Sequence, residues 1–183
     1  MSCNINKGRT EPCKDSVGGI QAVYFVDYGT LGNVDYSEPT SSEINAFDGI
    51  DGVAPVAYKY VLKGTSSLEQ TITSSRDNGT TFYDQLVNMT FKKLSIQSND
   101  EIALIAVARP HVIVEDNNGN AFMVGLKWGA DVNGGTIVTG GAMGDLSGYT
   151  LTLQGMEQKP ANFLSGGVTG VGIIISPSNI SDI

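Results

Sequence analysis

The chain has 183 residues, of which 40% are apolar and only 16% charged, with 23 glycines and a formal net charge of −8. That length suits one domain with a sizeable core, and no apolar run reaches the length of a membrane-spanning helix. The acidic balance excludes the basic footprint that specific DNA or RNA binding needs, and the dispersed glycines predict many turns and close backbone approaches.

Met1 to Thr10 is polar and has no apolar leader core, which points to a cytoplasm-like compartment. Ile20 to Val26 (IQAVYFV) is a continuous apolar, β-branched and aromatic run, the pattern of a buried strand. The segment 27–55 that follows is rich in Gly, Ser, Asn, Asp and Pro and reads as a long loop. Val56 to Leu62 and Leu68 to Ser75 alternate, and Lys63-Gly64-Thr65-Ser66 between them predicts a hairpin. Phe82 to Leu94 fits either period, and 86–94 is taken as a strand because the next segment supplies the helix signals. There Ser98 and Glu101 form a capping box, Ile102 and Ile105 follow at helical spacing, and Pro110 stops the run, predicting one helix over 99–109.

His111 to Glu115 and Ala121 to Lys127 flank Asp116-Asn117-Asn118-Gly119-Asn120, a second hairpin with an Asn-Gly turn. The glycine-rich stretch 129–148 reads as another long loop, with a short strand at Thr136 to Thr139. Tyr149 to Gln154 is a clean alternating strand, and Val171 to Ile175 gives a last one. The elements sum to a single mainly β domain over 1–183: an antiparallel β-sandwich or partly closed barrel with one packed helix.

Charge is unevenly spread. Asp15, Asp27, Asp35, Glu38, Glu43, Asp48 and Asp51 fall between Asp15 and Tyr58, where there is no Lys or Arg. The search for chemistry finds no phosphate-binding loop, zinc-protease helix motif or nucleophile elbow. His111 is the only histidine and reads as structural. Cys3 and Cys13 are too few for a zinc site and stand in a reducing compartment, so neither metal nor disulfide is expected. Asp116 opens a stretch like a calcium loop, but the twelfth position holds Lys127 instead of an acid. No catalytic, cofactor-binding or metal residue is assigned, and the three glycosylation sequons at Asn78, Asn88 and Asn179 are chance matches without a secretion signal.

The stretch Gly144 to Glu157 (GDLSGYTLTLQGME), followed by Pro160-Ala161, resembles the late strand of tail-tube-like phage structural proteins. Gly8-Arg9, Pro12-Cys13-Lys14-Asp15, Gly18-Gly19-Ile20 and Tyr24-Phe25 are similar to virion proteins of crAss-like phages of Bacteroidota, as is Val112 to Asn120. The resemblance covers roughly 8–161 as a pattern of order and composition. It implies a non-enzymatic virion structural protein of a phage tail or neck, assembled in the bacterial host cytoplasm. The implied partners are further copies of the chain, in a hexameric or dodecameric ring, and other tail or neck proteins. DNA would pass through the lumen without specific binding, and neither a membrane nor a cofactor is involved. On this reading the acids of 15–58 would face the lumen or the next ring, repelling phosphate, and 129–148 would be a contact loop between copies. A non-catalytic glycan- or receptor-binding module at a tail tip is the alternative.

Overall fold

The computed structural model describes residues 8–11, 13–38, 41–62 and 64–177. In chain order the strands are β1 (Ile20–Val26), β2 (Val34–Tyr36), β3 (Glu43–Phe47), β4 (Val56–Val61), β5 (Ser67–Ser75) and β6 (Thr80–Lys92). After helix α1 (Ile96–Val107) come β7 (His111–Asp116), β8 (Ala121–Val124), β9 (Asp131–Val138), β10 (Gly148–Glu157) and β11 (Asn162–Leu164). The short helix α2 (Gly167–Gly170) and β12 (Ile174–Ile175) complete the described chain. Strands make up 48% and helices 10%, so the expected mainly β class holds.

The strands form two sheets. One, curled into a half-barrel, runs β12-β4-β1-β7-β8-β11-β3-β2, and the other is β5-β6-β10-β9. Each apolar run is explained by the faces it must cover. On β1, Val23 and Phe25 point into the core between the two sheets, while Ala22, Tyr24 and Val26 point into the hollow of the curled sheet. On β7, Val112 and Val114 join the first core and Ile113 the second. A strand buried on both faces has no place for polar alternation, so IQAVYFV lacks it. β10 has one dry face: Leu151 and Leu153 are buried, while Thr152 and Gln154 bond Asn88 and Asp84 on the opposite face.

Several boundaries differ from the sequence reading. The helix spans 96–107, not 99–109, because Ser95 is its cap. Ser95 is extended (φ −140°, ψ 159°) and its hydroxyl accepts the Ser98 N–H at 3.1 Å. Ser98 thus lies inside the first turn, and Glu101 is too far along to reach back to the cap. The extended Ala108 ends the helix two residues before Pro110.

The hairpin expected of β4 and β5 does not form. β4 pairs with β1 and β12, and β5 pairs with β6, so residues 62–66 carry the chain from one sheet to the other. Leu62 enters the inter-sheet core there; Lys63 lies outside the described residues. The loop 27–55 contains β2 and β3, and the loop 129–148 contains β9, which pairs along β10. The last strand is only Ile174–Ile175, since Val171 and Ile173 serve as core residues around α2. The curled sheet is also not wholly antiparallel: β11 with β3 and β12 with β4 run parallel.

Candidate functional site

Three buried polar side chains converge on the turn that follows β8. Gln85, in the middle of β6, accepts the Gly125 N–H on Oε1 at 3.1 Å and donates from Nε2 to the Lys159 carbonyl at 3.2 Å. Glu157, the last residue of β10, accepts the N–H groups of Lys127 (2.7 Å) and Trp128 (3.0 Å) on Oε1. His111 Nε2 accepts the Gly29 N–H at 3.1 Å, so Nδ1 carries the proton and donates to the Gly125 carbonyl at 2.7 Å. Tyr28 stacks on the imidazole at 5.1 Å. Burial lowers the His111 pKa below its ordinary value, against the opposing pull of the Gly125 hydrogen bond and the Glu157 charge. With both ring nitrogens committed, His111 has no free position from which to take a substrate proton.

Gly125 makes the turn possible. Its φ is +65°, and a Cβ there would sit 2.4 Å from the Gly129 carbonyl carbon. Beneath the turn lies a cavity of about 140 Å³, walled by Tyr36, Met123, Leu126, Glu157, Lys159 and Asn162 among others. Lys159 Nζ lies 5.3 Å from the Tyr36 ring. Burial, then the charge of Glu157, raises the Tyr36 pKa.

A larger groove of about 490 Å³ opens at the end of the curled sheet, where Tyr24, Glu43, Glu115 and Phe163 meet the 165–169 turn. Tyr24 Oη donates to Glu115 Oε2 at 2.6 Å. Burial is the main reason the Tyr24 pKa lies above its ordinary value, and the Glu115 hydrogen bond and charge add to it. Ser165 and Thr169 line the groove together with the carboxylates Glu43 and Glu115, and no histidine, cysteine, lysine or arginine is among its lining residues.

The remaining sequence candidates are placed as follows. Asp116 folds its own hairpin: Oδ1 accepts the N–H groups of Asn118 (2.9 Å) and Asn120 (2.7 Å), and Oδ2 their side-chain amides. These bonds outweigh the larger but opposing effect of desolvation and lower its pKa. Asn117 and Asn118 then clamp Gly18 and Val17 of the amino-terminal segment. Among the described residues no three metal-ligating side chains cluster, and no helix is long and apolar enough to cross a membrane. Cys13 is exposed, while Cys3 and the sequon at Asn179 lie outside the described residues. The acids Asp35 and Glu43 sit on β2 and β3, and Asp48 and Asp51 on the loop after them, all on the side of the curled sheet.

Two surface features escaped the sequence reading. Among the described residues no strand pairs with the outer side of β5 or β9, the terminal strands of the four-stranded sheet, nine and eight residues long, and α1 packs against β9. Neither contains proline, and each carries one charged residue, Glu69 or Asp131, the latter paired with Arg109 at 3.1 Å. Helix α1 buries only Ile105 and leaves Ile96, Leu104 and Val107 exposed on its opposite side. Edge status is a property of the whole sheet order, and only the apolar residues of α1 were visible beforehand.

No known protein family, curated protein or solved structure matches the chain.

Proposed function

We propose that the chain is a structural subunit of a phage virion, a tail or neck component that closes with further copies of itself into a ring around a DNA conduit. The observation that supports this reading is that β5 and β9 are the two terminal strands of the four-stranded sheet, with no strand paired to their outer sides among the described residues. Soluble proteins blunt such edges with prolines, inward charges or covering loops, because an open edge recruits other strands. Here β5 and β9 lie at opposite ends of one sheet, so pairing β5 of one copy with β9 of the next repeats head to tail. A repeat of that kind closes into a ring when the rotation between copies divides a full turn.

The exposed face of the same sheet suits a conduit wall. Its side chains are mainly hydroxyls and amides, bonded across the strands as Thr136–Thr150, Asn88–Thr152 and Asp84–Gln154. A wall of this kind offers a passing polyanion few charges to hold. The apolar side of α1 adds a second contact surface of the sort that marks protein interfaces.

Native mass spectrometry of the purified protein tests the reading. A closed oligomer, six or twelve copies, is expected, and the double variant Ile72→Lys, Ile137→Lys should be a folded monomer. Both side chains are more than half exposed on the open edges, so the fold tolerates the change. A wild-type chain that stays monomeric at every concentration would refute the proposal.

A further inference from the structure

We propose that Asn78 is a site of spontaneous covalent modification, closing on Gly79 to a succinimide that water opens to an aspartyl or isoaspartyl residue. The inference does not rest on the assembly reading, because it concerns one turn within one chain.

The sequence has three Asn-Gly pairs, Asn78-Gly79, Asn118-Gly119 and Asn133-Gly134. The chemistry open to each is the same. The glycine backbone nitrogen gives up its proton and attacks Cγ of the preceding asparagine. A C–N bond forms there and the Cγ–Nδ2 bond breaks. Nδ2 leaves as ammonia, which carries away the proton that the glycine gave up. Water then adds to either ring carbonyl and cleaves its bond to the ring nitrogen. The sum consumes water and releases ammonia, with nothing oxidised or reduced. Glycine permits the attack because it has no Cβ to block the approach. What separates the three pairs is how freely Cγ can reach the nitrogen, since the step needs a near-attack geometry.

Asn118 is held. Its Oδ1 accepts the Val17 N–H at 2.8 Å, and its Nδ2 donates to the Val17 carbonyl at 2.8 Å and to Asp116 Oδ2 at 3.2 Å. Turning Cγ toward Gly119 breaks all three bonds. Asn133 lies inside β9, at the register shift between Val132 and Gly134, both of which are paired with β10. Ring closure there has to bend a paired strand.

Asn78 has neither restraint. It stands exposed in the 76–79 turn between β5 and β6, where Gly79 has a φ of +62°. Its backbone N–H reaches Ser75 Oγ at 3.3 Å, but its side-chain amide has no partner among the described residues. The Gly79 N–H makes only a 3.3 Å bond to the Arg76 carbonyl, and the space beside its α-carbon is open. Exposed tips of this kind also open most readily. The product sets a new carboxylate beside Asp77, and its iso form lengthens the backbone by one carbon at the end of β5.

The test is a timed incubation of the full chain in mildly alkaline buffer, folded and in concentrated urea, read by peptide mass mapping and by enzymatic methylation of isoaspartyl groups. In the folded chain, conversion at Asn78 should run about tenfold or more ahead of Asn118 and Asn133, which must first break hydrogen bonds or strand pairing. In urea the three rates should converge. Conversion should quicken with rising pH, since the attacking nitrogen must shed its proton, and Asn78→Ser should abolish the first product. Equal or faster conversion at Asn118 or Asn133 in the folded chain overturns the proposal, as does an Asn78 that converts only in urea. A lead of Asn78 that persists undiminished in urea overturns the role of the turn.

Discussion

The imidazole of His111 receives the backbone N–H of Gly29 on Nε2 at 3.1 Å, so the loop after β1 is fastened to the head of β7 by a bond that only a neutral histidine can make. Protonation at Nε2 would replace this acceptor with a donor facing a donor. Burial lowers the folded-state pKa, with Gly125 and Glu157 pulling the other way. The unfolded chain therefore binds the proton first as pH falls. Stability is full above the unfolded value of about 6.5 and is lost as pH drops from there to the lower folded value. Because the chain has one histidine, this window separates from the carboxylates, which titrate lower. The unfolding free energy from urea titrations at pH 7.5 to 5 should fall, by at most about 1.4 kcal/mol per pH unit, and the fall should vanish in His111→Gln.

The cap of α1 distinguishes two serines three residues apart. Ser95→Ala should cost about 1 kcal/mol, read from thermal or denaturant unfolding. Ser98→Ala should cost less, because Ser98 contributes its backbone N–H to the cap and its hydroxyl only a bond to Ser95 at 2.8 Å. An equal or larger loss at Ser98 would restore the capping box read from Ser98 and Glu101.

Gly125 and Gly148 should each resist alanine for different reasons. At Gly125 the backbone is left-handed and the added carbon meets the Gly129 backbone. At Gly148 the carbon would lie 2.1 Å from the Phe91 carbonyl oxygen, across the β10–β6 pairing. Each substitution should cost about 1–3 kcal/mol in equilibrium unfolding. Gly134, which has open space around its missing Cβ, should accept alanine with a much smaller change.

The ring proposed above has a wall that charge substitutions would locate. If the exposed face of the four-stranded sheet lines it, Thr71→Lys with Thr73→Lys should make assembled rings retain DNA. That retention should weaken with salt, because screening acts within about 8 Å at physiological ionic strength. Asp35→Lys with Glu43→Lys, on the curled sheet, should leave DNA passage unchanged. The opposite outcome would return the lumen to the acidic segment 15–58.

Legibility differed by element. Ile20–Val26, the Asp116–Asn120 turn and the Tyr149–Gln154 alternation were readable because each is decided by local pattern and turn chemistry. The β4–β5 connection was misread because a short Gly-Ser link serves a sheet-to-sheet crossing as well as a hairpin, and only pairing partners decide between them. β9 was taken as mostly loop because Asn133-Gly134-Gly135 has low strand propensity; its pairing with β10 overrides this. Of the candidate site, His111 could be read as structural, whereas Glu157, Gln85 and Asn162 gave no sequence signal. Their roles arise where β10, β6 and β11 come together, through residues far apart in the chain.

β1 and β7 stand as a party wall between two dry rooms, each strand sending alternate side chains into one and then the other. Neither room can lose that wall and keep its contents, so the two halves of the molecule have no separate melting points. Hydrogen exchange at Val23, Tyr24, Val112 and Ile113 should report one common opening free energy, equal to that of global unfolding. The terminal strands β5 and β9 belong to the other sheet, so the pairing of copies proposed above would leave this wall, which holds each one folded, untouched.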